Sequence, residues 1–123
     1  MRVTALLTLF VLTLASSANA QTSISVNLAK AKLSWAWTQG TGGAADGFRV
    51  KCGNTTGNYT RITTITNPAA RLADVKDIIT GSGQWFCIVT AFNQFDESPG
   101  TNEVSFFAGA GPSAPTNLII QAQ

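Results

Sequence analysis

Histidine is missing from this 123-residue chain, and cysteine is nearly so, with two residues. Without histidine the most frequent general base and metal ligand is gone. Two thiolates with no imidazole do not make an ordinary zinc site. Charge is scarce as well, with eight basic and six acidic side chains. The bases Lys30, Lys32, Arg49, Lys51, Arg61, Arg71 and Lys76 are scattered, as on a solvated surface. A nucleic-acid footprint would need them clustered, so no nucleic-acid partner is expected. The acids show no spacing that singles out an acid/base pair, and serine and aspartate occur without a histidine base. The chain therefore reads as a non-enzyme with no cofactor. No apolar segment beyond the first twenty residues is long enough to cross a bilayer, which takes about 20 residues.

What is present begins with an export signal. Arg2 is followed by an apolar stretch from Ala5 to Ala15 and a small-x-small site, Ala18-Asn19-Ala20. That pattern predicts a secretory signal peptide over residues 1–20; an uncleaved membrane anchor is the alternative. No cysteine follows the site, so no lipid anchor is expected. The mature chain would start at Gln21, carry a net charge of about +1 and have one domain's length. The expected compartment is extracellular or periplasmic. Low charge and many Thr, Gly and Asn residues suit an all-β domain over residues 21–108, with a Pro/Gly linker and tail over 109–123.

Two alternating runs, Phe48-Arg49-Val50-Lys51-Cys52 and Cys87-Ile88-Val89-Thr90-Ala91, can pair antiparallel. Phe48 then opposes Ala91, Val50 opposes Val89 and Cys52 opposes Cys87, all in one register. Side chains alternate along a strand, so all six share one face. A sheet, a buried face and a cross-strand disulfide follow together. The other reading of the cysteines is a redox or metal-binding pair; the signal peptide favours the bridge. Closing this loop is worth roughly 3–4 kcal/mol in the chain-entropy model.

Elsewhere, Ala29 to Trp37 alternates, with Ala29, Ala31, Leu33, Trp35 and Trp37 on one face. Thr22 to Val26 is a weaker strand candidate. Thr38 to Asp46 is a Gly-rich loop, Gly53 to Asn58 a tight turn, and Tyr59 to Ile65 a Thr-rich edge strand. Asn67 to Ile79 fits either a helix or a strand; the β surroundings favour the strand, with Ala73 and Val75 alternating and Ile79 packed beneath the next turn. Trp85 to Phe92 is the strongest strand, and Asn102 to Phe107 is the last.

Leu33-Ser34-Trp35, Gly47-Phe48-Arg49-Val50, Val89-Thr90-Ala91-Phe92 and the run from Glu97 to Ser105 occur in an order and spacing that resembles a fibronectin type III domain. The resemblance covers roughly residues 29 to 107. It implies a two-sheet antiparallel β-sandwich with Trp35 in its core. Two departures stand out. Trp85 holds the place of a family tyrosine that bonds to backbone; an indole can donate but not accept. The cysteine pair is also an addition, and it falls within one sheet, whereas the immunoglobulin bridge joins two.

In a sandwich of this topology the loops Thr38–Asp46 and Asn93–Gly100 meet at one end, where binding residues often sit. The candidate ligand-binding residues are Trp37, Phe95, Asp96 and Glu97. Trp37 is either a stacking platform or core. Phe95 is either an exposed anchor or folded back on Trp37. Asp96-Glu97 reads as a solvated acidic corner, with too few oxygens for calcium. No Arg-Gly-Asp occurs. Asn54-Thr55-Thr56 and Asn58-Tyr59-Thr60 fit the glycosylation pattern, with turn chemistry as the default reading.

The first functional expectation is a secreted binding or adhesion module with a protein or polysaccharide ligand. An accessory domain beside a secreted enzyme reads the same in sequence. The other is a subunit that self-associates. Its motive is the tail, where Pro112 to Ile120 looks like the opening strand of another such domain and ends in Leu118-Ile119-Ile120. A tail that frays or packs on its own domain is the plainer reading.

Overall fold

The computed structural model describes residues 23–122. The expected signal peptide over residues 1–20 lies outside the described residues, as does Thr22. The fold is all-β, in two sheets with a sandwich-like arrangement. The elements are β1 (Ile24–Asn27), β2 (Lys32–Ser34), β3 (Gly47–Gly53), β4 (Arg61–Ile65), β5 (Leu72–Asp74), a 3-10 turn (Val75–Asp77), β6 (Gly83–Phe92) and β7 (Val104–Gly109). The larger sheet runs β1-β7-β6-β3-β4 and the smaller is β2-β5.

The centre is the β3–β6 pair, in the register the alternation predicts: Phe48 opposite Ala91, Val50 opposite Val89, Cys52 opposite Cys87. All six side chains are buried. The backbone groups of Val89 and Ala91 are taken by Thr101 and Ser98 on the far side of β6. Toward β3 these positions are therefore of the closely spaced, non-hydrogen-bonded kind. The cysteine Cα atoms lie 4.2 Å apart, and a disulfide joins them. On the β4 side, Gly47 lets two backbones approach: a Cβ there would lie 2.0 Å from the Ile65 carbonyl oxygen.

Phe48 is the hub of the core. Trp35 tilts against it at 5.6 Å and Trp37 meets it edge-on at 6.0 Å. Val75, Ile78, Ile79, Trp85 and Phe106 complete the interior. The Trp85 indole N–H donates to the Gly81 carbonyl at 3.0 Å, so this buried ring has its one polar atom satisfied within its own turn.

Six element expectations need correction, two of them only at the start: the Tyr59 strand begins at Arg61 and the Trp85 strand at Gly83. The first strand is β1 and extends to Asn27, pairing in parallel with β7. The Ala29–Trp37 strand shrinks to Lys32–Ser34, because Ala29 and Lys30 form the turn after β1, where Asn27 accepts from Lys30 and Ala31. The inward alternation of Ala31, Leu33, Trp35 and Trp37 persists. In the ambiguous segment only Leu72–Asp74 is strand; Val75 starts the 3-10 turn, which carries Val75 and Ile78 into the core. Finally, β7 starts at Val104 rather than Asn102, because Ser98 and Thr101 already supply the partners of β6.

Candidate binding surface at the loop end

The loop end is built by two connections tied to each other. Asp46 N–H donates to the Phe92 carbonyl at 2.7 Å, and the Asn93 side-chain amide donates to the Ala44 carbonyl at 3.1 Å. Asn93 also organises its own loop: its Oδ1 accepts from the backbone of Phe95 and Asp96, and its N–H donates to the Asp96 carbonyl. This is the side-chain mimicry of a backbone turn for which Asn is favoured. Phe92 and Glu97 form an isolated bridge at the base. The turn is therefore held at both ends, with Phe95 at its tip.

Between the two loops lies an open cup of about 360 Å³, walled by Trp37, Gly43, Ala45, Phe92, Asn93 and Asp96 among others. Trp37 is half-buried and fixed by Phe48 on its edge and by Arg71, whose guanidinium carbon is 5.7 Å from the ring centroid. Arg71 also donates to the Trp37 carbonyl at 3.3 Å. Phe95 does not fold back: it is 82% exposed. Asp96 directs one carboxylate oxygen to the Glu97 N–H at 2.7 Å.

Glu97 departs from the solvated corner read in sequence. Its carboxylate accepts from Arg49 at 2.9 Å and from Thr90 at 2.6 Å, and pairs with Lys51. The Lys51 and Thr90 hydrogen bonds lead in pulling its pKa down to about 2, with Arg49 adding to them. Arg49 in turn lies over the Phe92 ring at 4.2 Å. Glu97 thus anchors the loop to the outer face of β3 and β6. Of the four sequence candidates, Trp37, Asp96 and Glu97 line the cup, Phe95 stands at the tip of the same loop, and the Glu97 carboxylate also ties the loop to β3 and β6.

Sequence reasoning missed this anchor and a second one. Glu103 accepts from Thr56 at 2.5 Å, from Gly57 N–H at 3.0 Å and from Tyr59 at 2.5 Å, fastening the Gly53–Asn58 turn to the approach to β7. Gly57 has φ +76, the positive value that a turn glycine supplies. The signal for the Glu97 cluster lay in the β3–β6 register, which sets Arg49 opposite Thr90 on the outward face. No comparable signal pointed to Glu103. Of the glycosylation candidates, Asn54 uses its side-chain amide to donate to the Gln84 carbonyl at 2.8 Å.

No protein-family model, curated protein or solved structure matches this chain. Among the described residues, no helix is long and apolar enough to cross a membrane.

Proposed function

We propose that this chain is a secreted, non-catalytic binding module of fibronectin type III type, and that its loop end takes a protein or polysaccharide ligand. The observation that carries the reading is Phe95: a large apolar side chain held 82% exposed on a turn that is hydrogen-bonded at its base, beside a cup walled by a fixed Trp37. Exposed aromatics with little freedom to lose are effective contact residues.

The strand order of the larger sheet, the separate β2-β5 pair and Trp35 packed on Phe48 support the family type. Trp85 bonded to Gly81 supplies a donor where the family has its tyrosine. The parallel β1–β7 pairing is a local variation on that plan. Export is supported by the leader pattern and by the buried disulfide, which suits an oxidising compartment.

The test is a binding screen of the exported protein against immobilised polysaccharides and extracellular proteins, repeated with Phe95→Ala. Phe95 has no role in the core, so the variant keeps the wild-type circular dichroism spectrum and melting temperature. Binding weaker by about 10-fold or more is expected for a central aromatic contact. A bound ligand retained equally by Phe95→Ala and by Asp96→Ala sinks the loop-end reading.

A further inference from the structure

The smaller sheet has an open edge. Ala31 accepts from Val75, Trp35 donates to Arg71, and Leu33 pairs with Ala73 between them. These alternate residues direct their backbone groups to β5, so those of Lys32 and Ser34 point the other way. Among the described residues no strand pairs with that side of β2. β1, which precedes β2 in the chain, lies in the other sheet.

Along this edge runs an apolar groove. One part, about 250 Å³, is lined by Ile24, Val26, Leu33, Val75, Val104 and Phe106. It continues past Leu33 and Ser34 into a second part of about 330 Å³ that includes Trp35. The Trp35 Nε1 is buried and has no hydrogen-bond acceptor. Open main-chain groups, an apolar trough and an orphan donor occur together along β2 and the residue that follows it.

The chain also carries a segment of matching chemistry. Beyond Gly109 the described tail has no secondary structure and no charged residue. Leu118, Ile119 and Ile120 are 99%, 69% and 94% exposed. Asn117, just before them, has a positive φ of 56, which asparagine tolerates. In an extended Leu118–Ala122 segment, Leu118 and Ile120 share one face.

Direction decides between the chain's own tail and another copy's. β7 runs parallel to β1, and the Asn27–Ala31 turn sends β2 back, so that Ile24 and Ser34 line the same groove. The tail leaves the domain where β2 begins, with Leu28 N–H bonded to the Gly109 carbonyl. A tail turning back on its own domain would run parallel to β2. A tail that enters another copy is not bound by that connection and can run antiparallel to that copy's β2, the better-bonded arrangement.

We infer that Leu118–Ala122 of one copy adds as a strand to the open edge of β2 in a second copy, seating Leu118 and Ile120 in the groove. Main-chain bonds to Lys32 and Ser34 supply affinity and the trough supplies register. The contact is head-to-tail, so its repetition builds chains that stay open unless rotation closes them.

The full exported chain is compared with a Leu118→Asp/Ile120→Asp variant, whose substitutions sit on an exposed tail and leave the domain intact. Sedimentation of the wild type should show a weight-average mass that rises at least about two-fold with concentration, as an open head-to-tail contact requires. The variant should stay monomeric, and a peptide of residues 112–123 should return the wild type to monomer. Amide exchange should protect Lys32 and Ser34 in the wild type only. A wild type that stays monomeric overturns the inference: with those amides protected, the tail docks on its own domain; with them unprotected, the edge is unused. Assemblies that persist in the variant place the contact elsewhere. None of these readouts involves the loop-end ligand, so the two proposals fail separately.

Discussion

Replacing both cysteines by alanine is the most direct perturbation of this fold. The bridge closes a loop with a sequence separation of 35. The chain-entropy relation gives roughly 4 kcal/mol of stabilisation for a loop of that length, acting by restricting the unfolded chain. Both side chains are fully buried, so removing the sulfurs also leaves small voids, and a total loss of about 4–5 kcal/mol is expected. That is a large share of the 5–15 kcal/mol typical of a domain, yet the register rests on Phe48–Ala91 and Val50–Val89 as well. Cys52→Ala/Cys87→Ala should therefore fold and melt about 15–25 °C lower. Urea unfolding followed by tryptophan fluorescence measures the loss. The slope m should rise, since the unbridged chain exposes more surface when unfolded. Cys52→Ser/Cys87→Ser should lose more, because two hydroxyls replace sulfur in an apolar interior. A loss under about 1 kcal/mol with an unchanged m would show that the bridge does not act through the unfolded chain. Free thiols titrating in the native protein would remove the premise.

Two titrations probe the loop anchors. Glu97 is held near pKa 2 by Lys51, Thr90 and Arg49, so its contribution is present above the unfolded carboxyl value and is lost as pH falls toward 2. Glu97→Gln should lower stability by about 2 kcal/mol at pH 7 and flatten the acid limb of a urea-midpoint-against-pH plot; an unchanged acid limb would remove Glu97 as its source. Tyr59 is the sole tyrosine. Burial and then the Glu103 carboxylate push its pKa up to about 12, so its share of stability is present below pH 10 and is lost as pH rises through 12. Ultraviolet absorbance should show the phenolate forming near pH 12, and earlier in Glu103→Gln; coincident curves would contradict the Glu103 contact.

The sequence alone determined the all-β class and the β3–β6 register with its cysteine pair, because period-two alternation converts residue order directly into faces. Where burial was less regular, local pattern failed. Val75 and Ile78 reach the core from a 3-10 turn, and only the packing above them shows that the β5 strand stops at Asp74. The two glutamates that fasten the loops were equally hidden, since Glu97 lies 48 residues from Arg49 and Glu103 lies 44 from Tyr59. Side chains that far apart meet only after the sheet has closed. The choice of sheet for β1 is of the same kind: Ile24–Asn27 reads as a strand anywhere, but whether it joins β7 or β2 is settled by how the two sheets face each other, and that choice leaves the β2 edge open.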